Sequence, residues 1–158
     1  SIFGYSMGGY VALYLAKQQP DRIDKVFTLA TKFDWTPQGA AKEAAMLDPI
    51  AINEKVPKYA AALEQLHGSN WKELMRKTAD MMLGLGNNPT LKDADFTTIK
   101  TPVLLAVGDK DAMVTTTETE KVHRLIPNSG FLVLPDTIHP IDRVNQEELA
   151  NRILEYFI

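Results

Sequence analysis

Residues 4–8, which read G-Y-S-M-G, constrain this chain more than any other stretch of it. They follow a short apolar run, residues 1–3, and open a segment with the pattern of an amphipathic helix. A serine flanked by glycines between a strand and a helix forms a very tight turn, so its hydroxyl projects beyond the end of the sheet. Side chains at Gly4 and Gly8 are expected to collide as the strand and the helix close together.

The helix that follows this turn has its own chemical consequence. Its N-terminus presents backbone N–H groups and a partial positive charge, both of which attract an anion. The N–H of Met7 lies nearest to Ser6 in the sequence. We therefore expect Met7 to donate to a negatively charged oxygen that forms beside the serine.

Composition narrows the classes of protein. With 158 residues, of which 45% are hydrophobic and 23% charged, the chain can form an ordinary globular core. A net charge of −3 argues against a nucleic-acid partner, and no apolar run reaches the roughly 18 residues of a membrane span. The absence of cysteine excludes disulfides, catalytic thiols and Cys-based metal sites. It fits a reducing compartment, and we expect a cytoplasmic protein.

Helix and strand patterns alternate along much of the chain. A helix is predicted from the serine turn to about Gln19, where Pro20 ends it. Apolar and β-branched runs predict strands at 25–31, 102–107 and 131–134. Further helices are predicted over 116–126 and from about Asp142 to Phe157. This alternation predicts an α/β fold with a parallel sheet.

Residues 35–99 interrupt the alternation with helices alone. Helices are predicted over 38–47, 57–67 and from Asn70 to Leu83, the last one ended by Gly84 and Gly86. So long an insertion exceeds an ordinary connection between strands. We interpret 35–99 as a helical cap, and residues 1–34 with 100–158 as the core that carries it.

Two further residues lie where predicted strands end. Asp111 stands in G-D-K-D-A-M-V, residues 108–114, and His139 follows the strand at 131–134. The carboxyl ends of parallel strands meet at one edge of a sheet, so we expect both side chains to approach Ser6. A histidine activates a serine hydroxyl by accepting its proton, and a carboxylate orients the histidine.

These motifs, in this order, resemble the C-terminal half of an α/β-hydrolase, with strands 5–8 and a helical cap inserted between strands 6 and 7. The family orders its triad as serine, acid and histidine. The resemblance implies Ser6 as nucleophile, Asp111 as the acid of G-x-x-D-x-x-V, His139 as the base and the Met7 N–H in the oxyanion hole.

The resemblance implies a serine hydrolase that cleaves a carboxylic ester or a related small acyl compound through an acyl-enzyme. Amide hydrolysis, C–C bond hydrolysis, acyl transfer and perhydrolysis use the same triad in this family. No cofactor, metal, nucleic acid or membrane is implied. The alternative is a catalytically inert fragment or binding protein of the same fold, which requires its missing N-terminal half.

Other residues compete for the site. Asp109 and Asp34 are alternative acids, although Asp109 is better explained as a turn residue. Asp136 and Asp142 are interpreted as a turn residue and a helix cap. The two other histidines are given structural interpretations: His67 ends a helix, and His123 lies on a solvated helix surface. A group of large side chains in the predicted cap either packs helices together, which we favour, or lines an acyl pocket. These residues are Met46, Met75, Met81, Met82 and Trp71.

The resemblance also implies that part of the fold lies upstream of this sequence. The family's second oxyanion donor follows strand 3, before the first residue here. The strand at Ser1–Phe3 would then be an unpaired apolar edge. We expect this chain to be associated with its N-terminal half, to be paired with a second copy along that edge, or to be a proteolytic remnant. We expect little or no activity from it alone.

Overall fold

The sheet has four parallel strands in the order of the chain, β1-β2-β3-β4, in a computed structural model that describes residues 1–158. The strands are β1 (Ile2–Tyr5), β2 (Val26–Leu29), β3 (Val103–Gly108) and β4 (Ser129–Leu134). Every residue of β2 is buried, as expected for a central strand of a parallel sheet. The predicted parallel α/β architecture is confirmed.

Eight α-helices complete the fold. They are α1 (Met7–Gln18), α2 (Pro37–Ala45), α3 (Pro49–Lys55), α4 (Pro57–His67), α5 (Trp71–Asn87), α6 (Asp93–Phe96), α7 (Thr116–Leu125) and α8 (Gln146–Phe157). No helix has both the length and the apolar character that crossing a membrane requires.

The chain forms two compact units, residues 1–34 with 91–158 and residues 35–90. The second boundary therefore follows residue 90, whereas the sequence suggested residue 99. Leu91 and Phe96 explain the difference, because both are buried in the first unit. The N–H of Leu91 donates to the hydroxyl of Tyr10 at 2.8 Å, and Phe96 makes an edge-on ring contact with Phe33.

Aromatic and aliphatic side chains from the sheet and from α8 form the main core of the first unit. Phe27 at its centre makes edge-on contacts with Phe3 and Tyr156. The buried members of this cluster, the sheet core, are Phe27, Leu29, Ala30, Ala106, Leu134, Val144 and Leu149. Their packing holds the carboxyl ends of the strands in register.

The second unit has a separate small core. Trp71 and Met75 of α5 are buried against α3 and α4, together with Ile52, Ala60 and Leu63. Helix packing therefore accounts for Trp71 and Met75, whereas Met46 and Met81 are exposed.

The helices differ from the sequence prediction in three main respects. Helix α5 continues past Gly84 to Asn87, because Gly86 packs so closely on α2 that a Cβ there would overlap Ala40. Helix α3 was not predicted; the side chain of Asp48 caps it by accepting from the N–H of Ile50. Helix α8 is capped by Asn145, whereas Asp142 was expected to cap it and lies instead in a short 3₁₀ turn.

One edge of the sheet is open at β1, which pairs only with β2. The N–H of Ile2 donates to Lys25 O at 3.0 Å, and that of Ser6 donates to Leu29 O at 2.8 Å. Because backbone groups alternate along a strand, the polar groups of Phe3 and Tyr5 point to the open edge.

Candidate active site

Ser6 occupies the sharp turn between β1 and α1, with a positive φ of 51° and a ψ of −119°. Such a conformation costs a non-glycine residue about 1–3 kcal/mol, so its surroundings must hold it. The N–H of Ser6 donates to Leu29 O on β2. Its carbonyl accepts from the N–H of Gly9 at 3.1 Å and from the hydroxyl of Thr31 at 3.0 Å.

The glycines around Ser6 differ in how closely other atoms approach them. A Cβ on Gly4 would lie 2.6 Å from the carbonyl oxygen of Gly8, so the predicted crowding at Gly4 is present. A Cβ on Gly8 would meet nothing within 4 Å, so the predicted collision at Gly8 is wrong. The second crowded position is Gly9, where a Cβ would overlap the hydroxyl of Thr31 and lie 3.0 Å from Thr28 Cβ. The glycine doublet at 8–9 was the sequence feature that could have revealed it.

The side chains of Ser6, His139 and Asp111 form a series of hydrogen bonds in that order. The Oγ of Ser6 is 3.2 Å from His139 Nε2, and His139 Nδ1 is 2.8 Å from Asp111 Oδ2. The Asp111 side chain is fully buried, and that of His139 is 13% exposed. A proton on Nδ1 directed at the carboxylate leaves Nε2 free to accept the serine proton.

Asp111 is held by its own loop. Its Oδ1 accepts the backbone N–H groups of Met113 and Val114, at 2.8 and 2.9 Å. This arrangement closes the turn between β3 and α7, and the buried side chain of Val114 anchors it. One carboxylate oxygen thus orients the side chain while the other faces His139.

The loop before His139 is fastened to the loop that carries Asp111. The N–H of Thr137 donates to Asp109 Oδ1, and the N–H of Lys110 donates to Thr137 O, both at 3.1 Å. Lys110 also forms an ion pair with Asp136, which lowers the pKa of that carboxyl through a hydrogen bond to its side chain. Asp136 has a positive φ of 52°, as a turn residue does.

The two alternative acids, Asp109 and Asp34, make contacts with residues other than His139. Asp109 accepts from Thr137, as described. Asp34 is exposed at the end of the loop after β2, where its N–H donates to Glu118 Oε1 at 3.3 Å. Asp111 is the carboxylate that the structure brings to His139 Nδ1.

Tyr5 is a residue of this region that sequence reasoning did not single out. Its hydroxyl donates to the backbone carbonyl of His139 at 2.9 Å. Burial is the main cause that raises the pKa of Tyr5, and the negative charges of Asp111 and Asp142 also raise it. A hydrogen bond from the backbone of Ile141 lowers this pKa in part. In the sequence, the only indication of such a role was that a tyrosine directly precedes the serine of residues 4–8.

Met7 is the first residue of α1. An N–H at this position has no acceptor within the helix, so it is free for an oxygen bound at the turn. Met7 is 54% exposed.

His123 was expected to be solvated, and this expectation is wrong. It is half-buried on α7, with Nδ1 2.9 Å from the hydroxyl of Ser129 and its ring stacked on Phe131. That hydroxyl donates to the carbonyls of the α7 end, so the pair closes the connection from α7 to β4. No group of three or more His, Asp or Glu side chains is arranged to hold a metal ion.

A parallel sheet with a serine turn and a histidine and an aspartate at its carboxyl edge defines the class of α/β-hydrolases. Within that class, the chain belongs to the Hydrolase_4 family, described as serine aminopeptidase, S33, whose model matches residues 1–141.

Among curated proteins, the chain is similar to a pimeloyl-[acyl-carrier protein] methyl ester esterase of Neisseria meningitidis serogroup B (strain MC58). The two are 27% identical over 157 residues, covering 87% of this chain and 61% of the esterase. The chain therefore spans about three fifths of the length of this relative.

Solved structures show the same fold. NosK from Streptomyces actuosus matches with a TM-score of 0.80 at 20% identity, over 98% of this chain and 67% of NosK. A putative lipase, lip1, from Acinetobacter baumannii AYE matches with a TM-score of 0.78 at 18% identity, over 98% of this chain and 59% of the lipase.

Proposed function

We propose that this chain carries the catalytic triad of a serine hydrolase that cleaves carboxylic esters of small acyl compounds. The observation that supports it is the hydrogen-bonded series from Ser6 Oγ through His139 to Asp111. The esterase among its relatives supports the substrate class, since the name of that protein specifies a methyl ester.

In the proposed reaction, Ser6 attacks the ester carbonyl as His139 Nε2 takes the hydroxyl proton. Asp111 keeps the Nδ1 proton directed away from Ser6 and stabilises the imidazolium. The N–H of Met7 donates to the oxyanion of the tetrahedral intermediate. His139 then gives its proton to the departing alcohol, and water hydrolyses the acyl-enzyme in a second cycle.

Residues 35–90 are proposed to act as the substrate-selecting cap. They are inserted between β2 and β3 and fold around their own core of Trp71 and Met75. An insertion that folds separately can vary in sequence without disturbing the triad, which suits a role in selecting substrates.

The proposal is tested by labelling with a fluorophosphonate and measuring intact mass. Ser6 Oγ displaces fluoride from phosphorus, so one phosphonyl adduct should appear on the wild-type chain and none on Ser6→Ala. Ser129→Ala is the matched control, because Ser129 also pairs with a histidine but lacks a carboxylate partner for it. It should label like wild type. Ligand binding without an adduct, unchanged by Ser6→Ala, would instead identify a binding protein of this fold.

We also propose that the open edge of β1, at Ser1–Phe3, pairs with a further strand. The outward N–H and C=O groups of Phe3 form a template for strand addition. For this chain alone the available partner is a second copy, so sedimentation velocity should show dimers that dissociate on dilution. A monomer at every concentration would contradict the proposal.

A further inference from the structure

Tyr5 links the strand of the nucleophile to the backbone of the base. It is the last residue of β1 and directly precedes Ser6. Its ring packs against the sheet core, and its hydroxyl reaches the carbonyl of His139, 134 residues away along the chain. The imidazole of His139 lies beside the same ring, with centroids 5.5 Å apart and planes inclined by 43°.

The loop that carries His139 is anchored at two places. Its first part is tied to Asp109 and Lys110 through Thr137. Its second part is tied to Tyr5, whose hydroxyl donates to the His139 carbonyl and interacts with the backbone of Ile141. Without the second anchor, the backbone beyond Thr137 would lose its direct attachment to β1.

We propose, on the basis of the function proposed above, that Tyr5 is a positioning residue that sets the distance between Ser6 Oγ and His139 Nε2. The present separation of 3.2 Å is already at the long end for a hydrogen bond. A backbone shift of a few tenths of an ångström at His139 would therefore break the contact. The Tyr5 hydroxyl touches neither imidazole nitrogen, so it acts through the position of His139 and takes no part in proton transfer.

The character of the Tyr5 side chain suits this role. Burial raises the pKa of the hydroxyl, so it remains a neutral donor throughout the pH range in which an imidazole titrates. Tyr5→Phe keeps the ring and its packing and removes only the hydroxyl.

The first test compares fluorophosphonate labelling of wild type, Tyr5→Phe and Tyr14→Phe between pH 5 and 9. Tyr14 is a more exposed tyrosine on α1 and serves as the matched control. Tyr5→Phe should reach the same final adduct stoichiometry but about 10- to 100-fold more slowly. The pH of half-maximal rate should fall, because Asp111 stabilises the imidazolium less once the His139 ring is displaced from it. A purely structural role would lower the final stoichiometry and leave the rate per labelled site unchanged, which would overturn the inference.

A second measurement separates this inference from the proposed function. A proton between His139 Nδ1 and Asp111 should give a downfield NMR resonance, which its loss in His139→Gln would assign. Tyr5→Phe should broaden or shift it, whereas Tyr14→Phe should not. If the wild type does not label but the resonance still responds to Tyr5→Phe in this way, the proposed hydrolase function is refuted and Tyr5 remains the positioning residue. An unchanged resonance in Tyr5→Phe would overturn the inference whether or not Ser6 labels.

Discussion

The hydroxyl of Thr31, just beyond β2, donates a 3.0 Å hydrogen bond to the backbone carbonyl of Ser6. Thr31 is buried, and it lies against Gly9 on the helix that follows the serine. The side chain of a neighbouring strand end thus helps to hold Ser6 at its positive φ. We expect Thr31→Val to lower the free energy of unfolding by about 1–2 kcal/mol and to slow labelling of Ser6.

Thr28 provides the matched control for that substitution. Its hydroxyl is buried without a hydrogen-bond partner, three residues before Thr31. Thr28→Val should therefore be neutral or stabilising in urea denaturation. Equal losses of stability from both substitutions would contradict a specific role for the bond from Thr31 to Ser6.

Gly4 and Gly8 should respond oppositely to alanine. Gly4→Ala would force a Cβ against the backbone of α1, and we expect it to cost more than about 3 kcal/mol. Gly8→Ala enters open space on a helix, where alanine is favoured over glycine by up to about 1 kcal/mol. Thermal unfolding measures both, and a destabilised Gly8→Ala would show that the space beside Gly8 is needed.

Asparagine substitutions distinguish the role of Asp111 from that of Asp109. Asp111→Asn donates to His139 Nδ1 instead of accepting from it, which imposes the wrong tautomer and should slow labelling of Ser6 by about 10⁴-fold. Asp109→Asn keeps the oxygen that accepts from Thr137, so its labelling rate should stay within about threefold of wild type. A large loss at Asp109 with none at Asp111 would reassign the acid.

The ion pair between Lys17 of α1 and Asp95 of α6 should make stability depend on pH. Lys17 Nζ is 2.6 Å from Asp95 Oδ1, and this hydrogen bond lowers the pKa of Asp95. A carboxyl with a lowered folded-state pKa stabilises the protein above its unfolded pKa, near 3.9, and loses that contribution as the pH falls through the folded value. Asp95→Asn should therefore cost about 1 kcal/mol at pH 7 and progressively less below pH 4.

A double-mutant cycle with Lys17→Met checks this ion pair by urea denaturation at pH 7 and pH 3. The coupling energy should be present at pH 7 and smaller at pH 3. A coupling energy that does not change with pH would mean that packing between α1 and α6, and not charge, accounts for the effect.

Local sequence predicted the elements of the fold well where short-range chemistry decides them. The strands and helices around Ser6 and Asp111 follow from glycine, proline and apolar periodicity, and the parallel sheet follows from their alternation. The predicted helix end at Gly84 was wrong, because contacts distant in sequence let α5 continue to Asn87. The predicted cap at Asp142 was wrong, because Asn145 caps α8 instead.

The sequence pointed to Ser6, Asp111 and His139 through a glycine-flanked turn and a resemblance to a family, and the structure brings these three side chains together. The residues that position them could not be identified in this way. Thr31 reaches Ser6 across 25 residues and Tyr5 reaches His139 across 134, and neither leaves a local pattern. Those contacts exist only once the strands are paired in register and their carboxyl ends lie at one edge. The sequence by itself predicted which side chains to expect at the carboxyl edge of the sheet, whereas the tertiary structure decided which others hold them, because packing and hydrogen-bond geometry depend on distance in space.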